Sequence, residues 1–253
     1  MKKKYLDELA RENNVPGFAD DDPVKFPRRF QDKRDIEIVA LLASCIAWGR
    51  REQILKACER MLGDEFMRNQ PYEFVMSGTW RGIDPGKYTK NIHRTFSASD
   101  LVYLCKGLYA WYQSSDSLEA FFIGKPVWEG IAALREHFAR ANNGAYVIFI
   151  PNPDTAACKR MHLMLRWLCR RDGIVDLGIW DSVNPSGLMI PLDVRVAASA
   201  RDLKLIERKA NDRKTVEALT ARLREFNPDD PVKYDYALFA HKPGDFKACS
   251  CPK

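Results

Sequence analysis

Two stretches of this chain hold residues whose types and spacing suit covalent chemistry. Cys158-Lys159-Arg160-Met161-His162-Leu163-Met164-Leu165-Arg166-Trp167 reads as a basic amphipathic helix. Further on, Ile190-Pro191-Leu192-Asp193-Val194-Arg195-Val196 reads as a proline-led turn whose aspartate opens another helix. In the first, Cys158, Met161, Leu165 and Leu168 fall on one helical stripe, the spacing of a buried face. Lys159, Arg166 and Arg170 fall on a second, narrow face. A lysine able to act as an amine nucleophile and a carboxylate held at a helix start suit attack on the sugar carbon of a damaged nucleotide.

Each feature also has a plainer reading. A lysine–arginine stripe is most often a solvated face, and aspartate is a preferred residue at a helix N-terminus. Against the first stands Pro151 to Thr155, a loop expected to present free backbone N–H groups just ahead of the helix. Such amides, with the helix dipole, favour a phosphate. Asp193 gains value from position: a carboxylate near a buried amine can stabilise positive charge and relay protons.

Other candidates are scattered. Trp48, in the run Trp48-Gly49-Arg50-Arg51, is placed to stack on a base or to serve as partial core. His93 and Arg94 follow Tyr88-Thr89-Lys90-Asn91, and read either as an ordinary helix start or as contacts to a flipped base. His162 reads as a packed or phosphate-neighbour histidine rather than a ligand. Cys249, Cys251 and His241 make too thin a set for zinc, so neither a metal nor a cofactor is expected.

These residues need a helical frame. Periodicity predicts helices over 35–47, 52–62, 99–113, 126–141, 156–171, 193–203 and 214–226, with Asp32, Ser99 and Thr155 of the types that cap a helix start. Only Ala145 to Ile150 reads as a strand, and one strand cannot make a sheet. The expected fold class is therefore all-α. Linker-like stretches fall at Pro16 to Pro27, Ser77 to Pro85 and Ile174 to Pro191, and the stretch from Pro243 to Lys253 looks frayed.

The composition sets bounds on the partner. A chain of 253 residues is one large domain or two small lobes. Its 40 Lys+Arg against 34 Asp+Glu leave a net charge of +6, so a polyanion must meet a local basic face rather than a basic body. Seven cysteines, at 45, 58, 105, 158, 169, 249 and 251, fit free thiols in a cytosol. The start Met1-Lys2-Lys3-Lys4 lacks the apolar region of a signal peptide. The longest apolar run, Ile38 to Trp48, is far short of a membrane span, so a cytoplasmic protein without membrane contact is expected.

The core from about Asp35 to about Ala240 resembles the helix-hairpin-helix DNA glycosylase superfamily. More narrowly it is similar to an uncharacterised bacterial family close to the archaeal 8-oxoguanine DNA glycosylases. The resemblance is carried by Cys158-Lys159-Arg160 through Trp167, by Val175-Asp176-Leu177-Gly178-Ile179-Trp180, and by Ile190-Pro191-Leu192-Asp193-Val194. The run from Asp230-Pro231-Val232-Lys233-Tyr234 through Asp235-Tyr236-Ala237-Leu238-Phe239 adds to it.

This implies an all-α fold of two helical lobes around a central cleft, one helical unit over 1–253, with the hairpin at about 145–171. It implies Lys159 as nucleophile and Asp193 as the catalytic aspartate, at a separation close to the archaeal branch. Arg160, Arg166, Arg170, Arg195, Arg50, Arg51, Trp48, His93 and Arg94 become the expected nucleic-acid contacts. Three departures stand out. Arg195 replaces a histidine, Pro151-Asn152-Pro153-Asp154-Thr155 lacks the hairpin glycines, and Cys249-x-Cys251 is half of an iron–sulfur spacing.

The expected activity is base excision, with AP-lyase action, from double-stranded DNA carrying an oxidised purine such as 8-oxoguanine. The expected state is a monomer. In the implied mechanism the damaged nucleotide is flipped out, Lys159 attacks C1′ and Asp193 stabilises the developing positive charge. The Schiff base then permits β-elimination of the 3′ phosphate. A non-catalytic nucleic-acid-binding protein on the same scaffold is the alternative; a helical interaction module unrelated to nucleic acid is a third.

Overall fold

In the computed structural model, residues 1–88 and 91–246 are described. Ten α-helices occur among them: α1 (Lys2–Asn13), α2 (Lys33–Cys45), α3 (Arg51–Leu62), α4 (Pro71–Met76), α5 (Ala98–Tyr112), α6 (Val127–Ala141), α7 (Lys159–Cys169), α8 (Val194–Asp202), α9 (Arg213–Arg224) and α10 (Tyr234–Ala240). Short 3₁₀ turns link several of them, and no strand occurs among the described residues, so the fold is all-α.

The centre is α2. Every residue from Ile36 to Cys45 is buried, because the helix is apolar nearly all round and neighbours cover it on each side. It packs against α7 and α4, while α5 packs on α6, and α10 joins α1 to α8. One charged residue interrupts the buried run of α2. Glu37, fully buried, accepts from Ser117 Oγ at 2.5 Å, Trp180 Nε1 at 2.7 Å, and Tyr112 Oη and Leu118 N at 2.8 Å each. Burial pushes its carboxyl above the usual range, and these four donors oppose that push.

The helix ends follow side-chain capping. Asp32 accepts from Arg34 N at 2.8 Å to open α2. Ser97, not Ser99, opens α5 through a reciprocal capping box with Asp100. Thr155 does not cap α7, which begins after Cys158 in the left-handed region at φ 46°. The helices α1, α4 and α10 lie where the apolar repeat is too short or too polar to give a clear periodic signal.

The stretch 145–150 is a run of turns and irregular backbone, not a strand. Side chains serve its carbonyls in place of a partner strand. Tyr103 Oη donates to Ala145 O at 2.9 Å, Arg160 to Ile148 O at 3.1 Å and Arg135 to Ile150 O at 3.3 Å. Phe149 and Ile150 are buried while Tyr146 and Ile148 are exposed.

Five cysteines among the described residues (45, 58, 105, 158 and 169) are free and buried, and burial pushes their thiols up. Cys249 and Cys251 lie outside the described residues, as do Thr89, Lys90 and the rest of 247–253. No described helix is long and apolar enough to cross a membrane.

Candidate active site

Lys159 is the first residue of α7 and Asp193 the residue that caps α8. The two meet: Lys159 Nζ lies 3.5 Å from Asp193 Oδ2, with the side chains 27% and 26% exposed. Nζ also donates to Ala47 O at 2.9 Å, at the end of α2. Asp193 uses its other oxygen, Oδ1, to accept from Val196 N at 2.8 Å. The cap orients the carboxylate and leaves Oδ2 for the amine. Three separate elements therefore converge on one nitrogen.

A cavity of about 60 Å³ opens beside this pair, walled by Phe18, Pro191, Tyr236 and Phe239. Asp22, Asp235 and Arg166 supply its polar surface. It adjoins a wider cleft of about 410 Å³ lined by Ala47, Trp48, Arg51, Asp193, Arg195 and Phe239. Aromatic walls and few, convergent polar groups are the make-up of a small-molecule or base site.

The basic stripe on α7 behaves differently from expectation. Lys159 reaches the cleft, but Arg166 and Arg170 are buried, 3% and 6% exposed. Arg166 pairs with Asp176 at 3.2 Å and with Asp235; Arg170 pairs with Asp176 at 2.9 Å, Asp230 at 2.8 Å and Asp172. Tyr236 Oη closes the cluster by donating to Asp176 at 3.0 Å. Both guanidiniums are held by carboxylates in the interior rather than presented on an exposed face for a phosphate. The reading of Arg166 and Arg170 as nucleic-acid contacts is corrected: they tie α7 to the segment after it and to α10. Burial of a charge is tolerated only with such partners.

His162 is also interior. It packs edge-on against Trp128 at 4.4 Å, and neither ring nitrogen has a hydrogen-bond partner among the described residues. Burial, with Arg213 nearby, lowers its pKa to about 3, so it is neutral and does not neighbour a phosphate.

In the loop 151–155 the amides of Asp154 and Thr155 are already used rather than free as expected. Asn152 Oδ1 accepts from Asp154 N at 3.0 Å, and Asn152 O from Thr155 N and Ala156 N at 3.4 and 3.0 Å. An asparagine turn has taken the amides that a glycine hairpin leaves open.

The junction of α2 and α3 gathers the other candidates. Trp48 stacks on Phe149 at 5.5 Å and meets His93 edge-on at 4.8 Å. His93 is buried and donates from Nε2 to Trp48 O at 2.8 Å, and burial lowers its pKa, so it braces the junction rather than facing a base. Arg160 lies over the Trp48 ring at 4.6 Å and is only half-buried. Arg94 packs across Gly49, whose φ of +99° suits glycine, and a Cβ there would meet Arg94 Nη1 at 2.5 Å.

Arg50, Arg51, Arg94 and Arg195 are exposed, and none has a carboxylate within ion-pair distance among the described residues. Arg51 and Arg195 reach the same ring, Phe239, at 5.6 and 4.5 Å, from α3 and α8. Both line the wider cleft beside Lys159.

Sequence reasoning missed Asp22 and placed no role on Asp235. Asp22 lay in a stretch read as linker. It opens a proline turn, accepting from Val24 N at 3.0 Å, and faces both cavities. The Asp-Pro pair was its available signal. Among the described residues no group of three His, Cys, Asp or Glu side chains is arranged to hold a metal ion.

Over residues 22–242 the chain matches the family described as "Protein of unknown function (DUF2400)". The chain belongs to that family. Its matched span includes every residue of the Lys159–Asp193 site named above except Phe18. No curated protein and no solved structure matches it.

Proposed function

We propose that this protein is a DNA base-excision glycosylase of helix-hairpin-helix type, with its cleft between two helical lobes, acting on an oxidised purine such as 8-oxoguanine, with accompanying AP-lyase action. The observation that carries this reading is the approach of Lys159 Nζ to within 3.5 Å of Asp193 Oδ2, beside an aromatic-walled cavity. In that reading the amine, once neutral, attacks C1′ of an everted nucleotide as the base leaves. Asp193 stabilises the cationic sugar and accepts the proton that the new C–N bond releases. The cavity receives the base, and the unpaired guanidiniums of Arg51 and Arg195 meet the backbone at its mouth.

The experiment is borohydride trapping on duplexes carrying different lesions. Wild-type protein is expected to give a covalent adduct with at least one oxidised purine, and Lys159→Gln none, while its duplex affinity stays within a few-fold. Persistence of the adduct in the variant transfers the role to another amine. No adduct with any lesion leaves the reading without support.

A second reading has its own observation. Lys159 is shared between Asp193 and the Ala47 carbonyl, which also describes a structural tie between α7, α8 and the end of α2. A nucleic-acid-binding protein without catalysis needs no more. It predicts salt-dependent duplex binding with no preference for damage.

A further inference from the structure

The cavity beside Lys159 and Asp193 contains a carboxyl group that their pairing does not use. Asp235 stands in the first turn of α10 and is 6% exposed, yet it forms part of the cavity wall. Its Oδ2 is held by Arg166 Nη1. Its Oδ1 has no hydrogen-bond partner among the described residues, and the residue lines the cavity. A carboxyl fixed at one oxygen and open at the other is arranged to exchange a proton with whatever enters.

The charged and titratable groups around it come from several elements. Arg166 and Lys159 face it from α7, Asp193 from the start of α8, Asp176 from the segment between them, and Asp22 from its proline turn. Tyr236 is its neighbour on α10. Burial raises the pKa of Asp235 most, Arg166 and Lys159 lower it, Asp193 and Asp176 raise it, and the balance lies at about 6. This is the range that suits an acid working near neutral pH. The anion left after proton donation is met at once by Arg166, already in contact.

We infer that Asp235 is the general acid that protonates the departing base at the Lys159–Asp193 site, an inference that rests on the base-excision reading above. The C1′–N bond breaks with its electron pair moving to the base nitrogen. The proton on Asp235 passes to a ring nitrogen of the base, which departs neutral. The Lys159 lone pair forms the bond to C1′, and the proton released from that nitrogen passes to Asp193. Asp235 ends as a carboxylate paired with Arg166.

The test separates base release from the lysine chemistry. Asp235→Asn is assayed for single-turnover release of an oxidised purine, and for borohydride trapping on an oligonucleotide that already carries an abasic site. Base release is expected to fall about a hundredfold or more. Trapping on the abasic site should stay within a few-fold, because no base remains to be protonated. Release that stays within a few-fold of wild type overturns the inference. So does equal loss of release and trapping, which is the signature of a collapsed Arg166 pair.

The wild-type protein supplies a measurement independent of folding in the variant. Its base release should decline as pH rises through about 6, where Asp235 loses its proton, while abasic-site trapping does not decline with it. Parallel profiles overturn the inference. Wild-type protein that neither releases nor traps any lesion overturns the base-excision reading itself, a distinct outcome.

Discussion

Two buried carboxylates, Glu37 and Asp235, show how the same group can be spent in opposite ways. Glu37 accepts four hydrogen bonds, two at each oxygen, all from neutral donors. Nothing is left over for a ligand. Asp235 meets Arg166 through one oxygen, has no hydrogen bond at the other among the described residues, and lines a space walled by aromatic rings. Glu37 is saturated, so its role is to hold α2, the end of α5 and Trp180 in register. Asp235 and its neighbour Asp193 are under-saturated, in a site that already contains an amine. Incomplete satisfaction in a low-dielectric pocket is costly, and it is tolerated where a partner is to arrive.

The comparison breaks most readily at Glu37. Glu37→Ala removes the acceptor of Ser117, Tyr112, Leu118 and Trp180 at once and leaves a void between helices. The expected cost is on the order of 3–5 kcal/mol of unfolding free energy. Chemical denaturation measures it. A loss below about 1 kcal/mol would mean the four donors find water or one another, and the contrast with Asp235 would lose its structural half.

Asp193 sharpens the other half. Asparagine caps a helix about as well as aspartate, so Asp193→Asn should change the melting temperature little. As a charge stabiliser the same substitution removes one well-placed electrostatic contact, worth on the order of 3 kcal/mol, a hundredfold or more in rate. Single-turnover base release read alongside the melting curve distinguishes them. Unchanged release in a stable variant leaves Asp193 as a cap and nothing more.

How much of this was legible in the sequence follows from which forces are local. Helices α2, α3, α5, α6, α7, α8 and α9 were readable because each carries a long apolar repeat. The short helices α4 and α10 were not, since a turn or two is too short to display a period. The pairing of Lys159 with Asp193 came from a resemblance of motifs, and their separation in the chain says nothing by itself about distance. Lys159 and Arg166 both line the small cavity, but Arg170 falls just beyond the end of α7, and spacing on a helix cannot say what covers a face. Of the carboxylates that enclose Arg166 and Arg170, Asp172 and Asp176 come from the segment just after the helix, and Asp230 and Asp235 from some sixty residues on. Asp22 was hidden for the same reason, inside a proline-rich stretch that has no period to reveal a role.

That burial moves the question of phosphate contact to the cleft mouth. With Arg166 and Arg170 enclosed, the cations left beside Lys159 are Arg51 and Arg195, which converge on Phe239 from two helices. Their guanidiniums rest on an aromatic ring rather than on carboxylates, so their N–H edges remain unspent for an anion. Replacing both with Ala should flatten the salt dependence of duplex binding by about one unit of slope per lost phosphate contact, with a several-fold loss of affinity. Both are exposed, so the melting temperature should barely move. The measurement is affinity against salt concentration, for plain and lesion-bearing duplexes alike. Equal flattening on both identifies backbone contact; flattening on the lesion duplex alone ties the pair to the everted nucleotide. An unchanged slope on both duplexes removes Arg51 and Arg195 from the interface and leaves Arg50, Arg94 and Arg160 to carry it.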